Sequence, residues 1–395
     1  MTGAHKAIVA GVDMVKFVKP GQQQPYRVMA STAIQGALKD AGIDAAQVQQ
    51  AYASYIYGDT TCGQHALYDA FQTGIPVINV NNACASGSTA IYLARQAVES
   101  GAADCVLAFG FEEMQRGALG SPWDDREGAF SRNLTVADTF DLTSVPAAAV
   151  PKAFGVAGQH YLDKYNAKAD IFAKVAVKTR SHAVHNPFSL FDTPLTVDEV
   201  MNAPKIYGDY MTRLMACPPT CGAAAAIIVS PTFAQKHGIS QGVETVAQAL
   251  TSDTVKSWED PISAVGADMT RRAAQQVYEQ AGFGPEAIQV IELHDCFTPN
   301  EVITYEGLGL CQEGEATQFI EAGNNTHGGN YVVNPSGGLM SKGHPIGATG
   351  LAQCYELVTQ LRGHAGARQV EGAKRALQHN LGLTGAVVVT LYQRH

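Results

Sequence analysis

The sequence predicts a duplicated, layered α/β fold carrying an inserted loop segment, and three observations lead there. Apolar, β-rich runs alternate with helical patterns at both ends of the chain. A shift of 260 positions lays one of these ends on the other. Between them, residues 113–210 lose the alternation. A chain of 395 residues is too long for one ordinary core, and two halves of similar size with an insertion suit it.

In the first half, Ala7–Val12, Ala51–Tyr57, Val77–Val80 and Cys105–Phe109 read as strands, with helices at 27–42 and 85–100. The second half repeats the style, with strands near 243–250, 289–293, 375–379 and 385–391 and helices near 264–281, 299–308 and 347–362. The shift sets Cys84 on His344, Gly87 on Gly347, Thr89 on Thr349 and Ala90 on Gly350. Both segments follow an apolar run and enter a helix with a small or apolar inner face that stops at a glycine, Gly101 or Gly363. Duplication of one unit is the economical explanation. In the insertion, Pro, Trp, Asp and Ser cluster at 121–146, and amphipathic helices follow near 148–165 and 168–184. Gly222–Ala226 leading into Ile227-Ile228-Val229 reads as a central strand returning to the first half. The expected organisation is therefore residues 1–112 with about 211–235 as one half, 113–210 as an inserted loop domain, and 236–395 as the other half.

A formal charge of −9 and the lack of any Lys/Arg run argue against a nucleic-acid partner. Hydrophobic residues at 46% and charged residues at 16% allow a large core. Thirty-nine glycines without a collagen-like period suit tight turns and close backbone approaches. Eight scattered cysteines read as reduced thiols rather than a disulfide framework. The N-terminus lacks the pattern of a signal peptide, the end Tyr392-Gln393-Arg394-His395 is not a peroxisomal address, and no stretch is long and apolar enough for a membrane span. A cytoplasmic setting is the expectation.

Four segments carry chemistry. In Val80-Asn81-Asn82-Ala83-Cys84-Ala85-Ser86-Gly87-Ser88 an apolar run ends and a helix begins, which places a thiol at a helix N-terminus. The helix dipole there is expected to lower its pKa below the usual value of about 8.5. Asn334-Pro335-Ser336-Gly337-Gly338 through Gly350 is glycine-dense and sets His344 before another helix, as a base toward Cys84 and a donor to an oxyanion. It is not a phosphate loop, because no Gly-Lys-Ser/Thr follows at the required spacing. In Ile291-Glu292-Leu293-His294-Asp295-Cys296-Phe297, His294 offers a second donor, and Cys296 a proton for substrate carbon or for a coenzyme thiol. Leu377-Gln378-His379-Asn380-Leu381-Gly382-Leu383 is a strand-to-turn passage whose Gly382 N–H is expected to join the Cys84 N–H in a second oxyanion hole. No metal is expected, since Cys217 and Cys221 form a CxxxC without a matching pair.

Together these segments, with Gly58-Asp59-Thr60-Thr61-Cys62-Gly63-Gln64, Gly343-His344-Pro345 and Gln378-His379-Asn380-Leu381-Gly382, resemble the thiolase superfamily over essentially the whole chain. The joint occurrence of His-Asp-Cys-Phe, Gly-His-Pro-Ile-Gly-Ala-Thr-Gly and the Cys84 turn narrows the resemblance to the sterol-carrier-protein type of thiolase. It implies a thiolase-like duplicated α-β-α-β-α fold and acyl transfer between 3-ketoacyl-CoA and CoA. Coenzyme A is then a co-substrate, no cofactor is permanently bound, and the chain forms a homodimer or dimer of dimers. Carried over residue by residue, the resemblance makes Cys84 the nucleophile, His344 its activator, His294 with His344 the first oxyanion hole, Cys296 the acid/base, and the Cys84 and Gly382 amides the second hole. Many thiolases place their acid/base cysteine two residues before that glycine, where this chain has Asn380, and Cys296 is expected to take over. Cys221 stands where the family often has Asp, and no fused lipid-transfer domain is expected after the last strand. The rival readings are a ketoacyl synthase, which needs no Cys296 shuttle, a retro-aldolase, in which tyrosines tend to replace the two histidines, and a non-catalytic acyl-CoA- or lipid-binding scaffold.

Overall fold

The computed structural model describes residues 6–115, 119–120, 123–143 and 146–394. Its strands are β1 (Ile8–Met14), β2 (Gln50–Ser54), β3 (Val77–Val80), β4 (Cys105–Glu112), β5 (Lys205–Tyr207), β6 (Met211–Thr212), β7 (Gly222–Val229), β8 (Val243–Thr251), β9 (Val290–Glu292), β10 (Val332–Val333), β11 (Arg375–Gly382) and β12 (Ala386–Gln393). Five strands of the first half are ordered β3-β2-β4-β7-β1, and five of the second β10-β9-β11-β12-β8. The two orders match strand for strand, and so do the directions. The two outer pairings are parallel and the two inner ones antiparallel in each half. Where the halves meet, β1 and β8 share two residue pairs, Ile8 with Glu244 and Val9 with Val243.

Side-chain alternation explains the layers. Along β4 and β7, Leu107, Phe109, Ala225 and Ile227 point to one core, which they share with the helix Tyr26–Ala41. Val106, Ala108, Ala224 and Ile228 point to another, shared with the helices Ser86–Glu99 and Thr349–Arg362. Those two helices pack on each other and on strands of both halves, and Ala267–Ala281 covers the far face of β8 and β12. The result is helix, sheet, helix pair, sheet, helix. The small inner faces expected of the central helices are what let them approach. A Cβ on Gly87 would lie 3.0 Å from the Gly347 carbonyl oxygen and the Gly350 nitrogen. A Cβ on Gly350 would lie 2.3 Å from Ser88 N and Oγ.

The strand expected at Ala51–Tyr57 stops at Ser54, because the amides of Ile56 and Tyr57 leave the sheet to donate to the buried Glu112 carboxylate. Within the segment 121–146 lies a helix, Ser131–Phe140, of which only Asn133, Val136 and Ala137 are buried, a stripe too narrow to show as a pattern. Residues 121–122 and 144–145 lie outside the described residues. The helices Ala149–Tyr165 and Asp170–Ala183 pack into one core with the second half, and Phe154 stacks on Phe297 at 4.8 Å between ring centres. Among the described residues, no helix is long and apolar enough to cross a membrane.

Candidate active site

Cys84 sits in the turn between β3 and the helix Ser86–Glu99, where Ala83 adopts φ 46°. A non-glycine residue held left-handed costs on the order of 1 kcal/mol, and local bonds over-determine it here. The Ser86 hydroxyl donates to Ala83 O and accepts from Asn82 N. At the matching place in the second half, Gly343 (φ 121°) precedes His344 in the same way. The His344 turn is tied to the first half through His344 N donating to Thr220 Oγ1 at 3.0 Å and Gly347 N donating to Glu112 at 2.9 Å.

The turns converge. The Cys84 sulfur and one ring nitrogen each of His294 and His344 lie within 4.8 Å of one another, and the two rings stand nearly perpendicular, 5.0 Å between centres. A cavity of about 300 Å³ opens on them, lined also by Cys296, Cys217, Ile56, Phe154, Phe297 and Leu381. Gly382 lies against the Cys84 turn: a Cβ there would fall 2.1 Å from Asn82 O and 3.1 Å from Ala85 N, so only glycine lets the β11 backbone approach. The sequence-predicted residues Cys84, His294, Cys296, His344 and Gly382 are thus gathered from both halves. Cys221 is buried away from this group, its thiol donating to Met114 O.

One expectation is overturned. The Cys84 thiol is pushed up to about 12, not down, because burial penalises the thiolate and the Glu112 charge adds to the penalty. Cys296 is raised well above the usual thiol range, mostly by burial and then by Cys217 and Cys84. Burial also holds His344 down to about 3, and it keeps His294 far below its ordinary value, with His344 and His379 contributing. The resting site therefore pairs neutral thiols with neutral imidazoles.

Neutral rings have a defined proton position. The Thr349 hydroxyl donates to Pro345 O at 3.0 Å, so at 2.7 Å from His344 Nδ1 it accepts that ring's proton. His344 Nε2 is left as an acceptor for the Cys84 thiol. His294 Nδ1 instead accepts from the Asn380 amide at 3.0 Å, which leaves Nε2 carrying hydrogen as a donor. One base and one donor facing a thiol suit acyl transfer. A metal ion would find a lone pair on His344 but a proton on His294. Sequence reasoning missed Thr349, Cys217 and the role of Asn380. The spacing of Thr349 five residues after His344 was the available signal.

The buried groups also set the pH dependence of stability. Glu112 is raised to about 7 and Asp295 to about 8, both chiefly by burial, whereas His182, His344 and His379 are held near 3 and His294 is held well below its ordinary value. Above pH 6.5 the folded state keeps protons on two carboxylates that the unfolded chain has released, so stability falls as pH rises through about 7 and 8. Below 6.5 the unfolded chain protonates histidines that the folded state keeps neutral, which works against stability in acid and opposes the raised carboxylates, Glu292 and Glu306 among them. The calorimetric melting midpoint is expected to fall as pH rises from 6.5 to 9, and a midpoint that climbs steadily over that range would contradict these assignments.

The comparisons with known proteins agree with this geometry. Residues 7–203 match the family described as "Thiolase, N-terminal domain", and residues 247–392 match "Thiolase C-terminal domain-like". "Sterol carrier protein 2" of Oryctolagus cuniculus is 51% identical over 98% of this chain and 72% of its own length. "Benzoylsuccinyl-CoA thiolase subunit BbsB" of Thauera aromatica is 34% identical over 96% of this chain and 95% of its own length. The solved structure titled "Ltp2-ChsH2(DUF35) aldolase" superimposes with a TM-score of 0.81 at 22% identity over 98% of both chains, a likeness of fold. The chain belongs to the thiolase superfamily, and within it to the sterol-carrier-protein type.

Proposed function

We propose that the protein is a thiolase that moves acyl groups between 3-ketoacyl-CoA and CoA through a Cys84 thioester. The observation that supports this most is the meeting of the Cys84 sulfur with two oppositely protonated imidazoles, in a cavity also lined by Cys296. In the cleavage direction, His344 Nε2 takes the thiol proton as the sulfur attacks the 3-keto carbon. The alkoxide rests on the Cys84 and Gly382 amides. Its collapse breaks the C2–C3 bond, and the enolate of acetyl- or propionyl-CoA is held by His294 Nε2–H and the now protonated His344. The neutral Cys296 thiol delivers a proton to C2 and becomes a thiolate. That thiolate takes the proton of an incoming CoA, whose sulfur takes the shortened acyl group from Cys84, and the leaving Cys84 sulfur recovers its proton from His344.

Incubation with acetyl-CoA is expected to add one acetyl group, mapped by mass spectrometry to Cys84. A non-catalytic acyl-CoA- or lipid-binding protein would remain unmodified. His294→Ala is expected to lower kcat by roughly two to three orders of magnitude, the usual cost of one oxyanion donor of about 3–4 kcal/mol. Near-normal turnover would remove His294 from that role.

The assembly we infer is a homodimer. Among the described residues β3 has β2 as its one strand neighbour, and Ile78 on it is 37% exposed, so an apolar edge stands ready for a second copy. Sedimentation should give twice the mass of the chain, and a monomer at micromolar concentration would refute it.

A further inference from the structure

The base-and-donor division between the two imidazoles rests on which nitrogen of His294 carries hydrogen, and that is decided well away from the ring. The Gly350 carbonyl can only accept, so the part of the Gln378 amide that lies 2.5 Å from it is the NH2 group. The Tyr392 hydroxyl, donating at 2.6 Å, holds the other end of that amide as its oxygen. The same Gln378 NH2 donates to Ser88 Oγ at 2.8 Å. Having accepted there, the Ser88 hydroxyl turns its single hydrogen to Asn380 Oδ1, also at 2.8 Å. Asn380 must then present its NH2 to His294 Nδ1. Every member of the chain is buried, so water does not compete for these positions.

We propose that Gln378, Ser88 and Asn380 are positioning residues that fix the Nε2–H form of His294. The relay crosses the junction between halves. Ser88 lies on the helix that follows Cys84, Gln378 and Asn380 lie on β11, and Gly350 opens the helix that follows His344. Gly350 is also what leaves room for it, since a Cβ there would lie 2.3 Å from Ser88 Oγ and 2.7 Å from Asn380 Oδ1. A reversed Asn380 would aim its oxygen at Nδ1 and draw the proton there, leaving two acceptors in the resting site and only the proton His344 takes from Cys84 to meet the oxyanion.

This inference builds on the thiolase reading above, but its first readout is independent of turnover. Nitrogen-15 NMR of histidine-labelled protein is expected to show His294, assigned by its loss in His294→Gln, as an Nε2–H tautomer. In Asn380→Asp, read at a pH where the carboxylate is ionised and can only accept, the proton should move to Nδ1, and kcat should fall about a hundredfold or more with a much smaller change in KM. Ser88→Ala, a smaller change for the case in which the buried aspartate prevents folding, should give a mixture of tautomers and an intermediate kcat. A wild-type His294 protonated on Nδ1, or a tautomer unmoved in both variants, overturns the proposal. If the wild-type spectrum and its response to substitution are as stated but no thiolytic turnover is found with any ketoacyl thioester, the relay stands and the functional reading falls.

Discussion

Cys84→Ser is expected to lower thiolytic turnover by about 10⁴-fold or more and to leave no acetyl group on the protein after exposure to acetyl-CoA. The smaller size of a hydroxyl is not the main reason. The cause is the electrostatics around the position. Burial and the Glu112 carboxylate already push the thiol up to about 12, and among the described residues no lysine or arginine lines the cavity to favour an anion. A thiol can still pass its proton to His344 as the sulfur bonds to carbon, whereas a serine hydroxyl is far less acidic. Turnover within tenfold of the wild type, with loss of nitrogen-15-detected contact between position 84 and His344, would place the nucleophile elsewhere.

Cys296→Ala is expected to slow carbon–carbon bond cleavage by about 10²- to 10⁴-fold, the range associated with a positioned acid or base. A kept thiol proton is what this step needs, and burial with two neighbouring thiols keeps it. The segment is held in place from several sides. Cys217 N donates to Cys296 O at 2.9 Å, Asn300 donates to His294 O, and the Asp295 carboxylate accepts from Leu339 N at 2.7 Å. Alanine should therefore remove the proton shuttle and little else. Exchange of the C2 hydrogens of acetyl-CoA with deuterated solvent, followed by proton NMR, should disappear with the thiol. A ketoacyl synthase relative, which makes its carbanion by losing carbon dioxide, would keep its decarboxylative condensation after the change, whereas retained thiolytic cleavage would remove Cys296 from the shuttle role.

Much of this site was legible before any coordinates, and the legible part has a physical character. Cys84 and His344 stand at ends of apolar runs and are followed by helices, local demands that leave a local trace, whereas the left-handed turn at Ala83 leaves none. Cys296 and His294 likewise follow a strand end. What could not be read is what depends on partners distant in the chain. Ser88 and Asn380 are 292 positions apart and Glu112 and Gly347 are 235, and no spacing rule connects them. The acidity of Cys84 was misjudged for the same reason. A helix start is visible in sequence, whereas the loss of water around the sulfur and the Glu112 charge appear only when the halves are assembled. Cys217 was set aside for want of a second pair of ligands, yet its backbone pairing with Cys296 brings it to the cavity wall.

The matched turns before Cys84 and His344 have a bearing on how such a catalyst could arise. Two identical copies brought together about a twofold axis would present either two sulfurs or two imidazoles to each other, and neither pair contains both an attacking atom and its proton acceptor. Once both copies are encoded in one polypeptide, each can accumulate its own substitutions, and a thiol at one post can persist beside a histidine at the other. Separate encoding of the two copies is therefore a chemical requirement here, because unlike residues at equivalent stations are unattainable for a molecule that reads one gene segment twice.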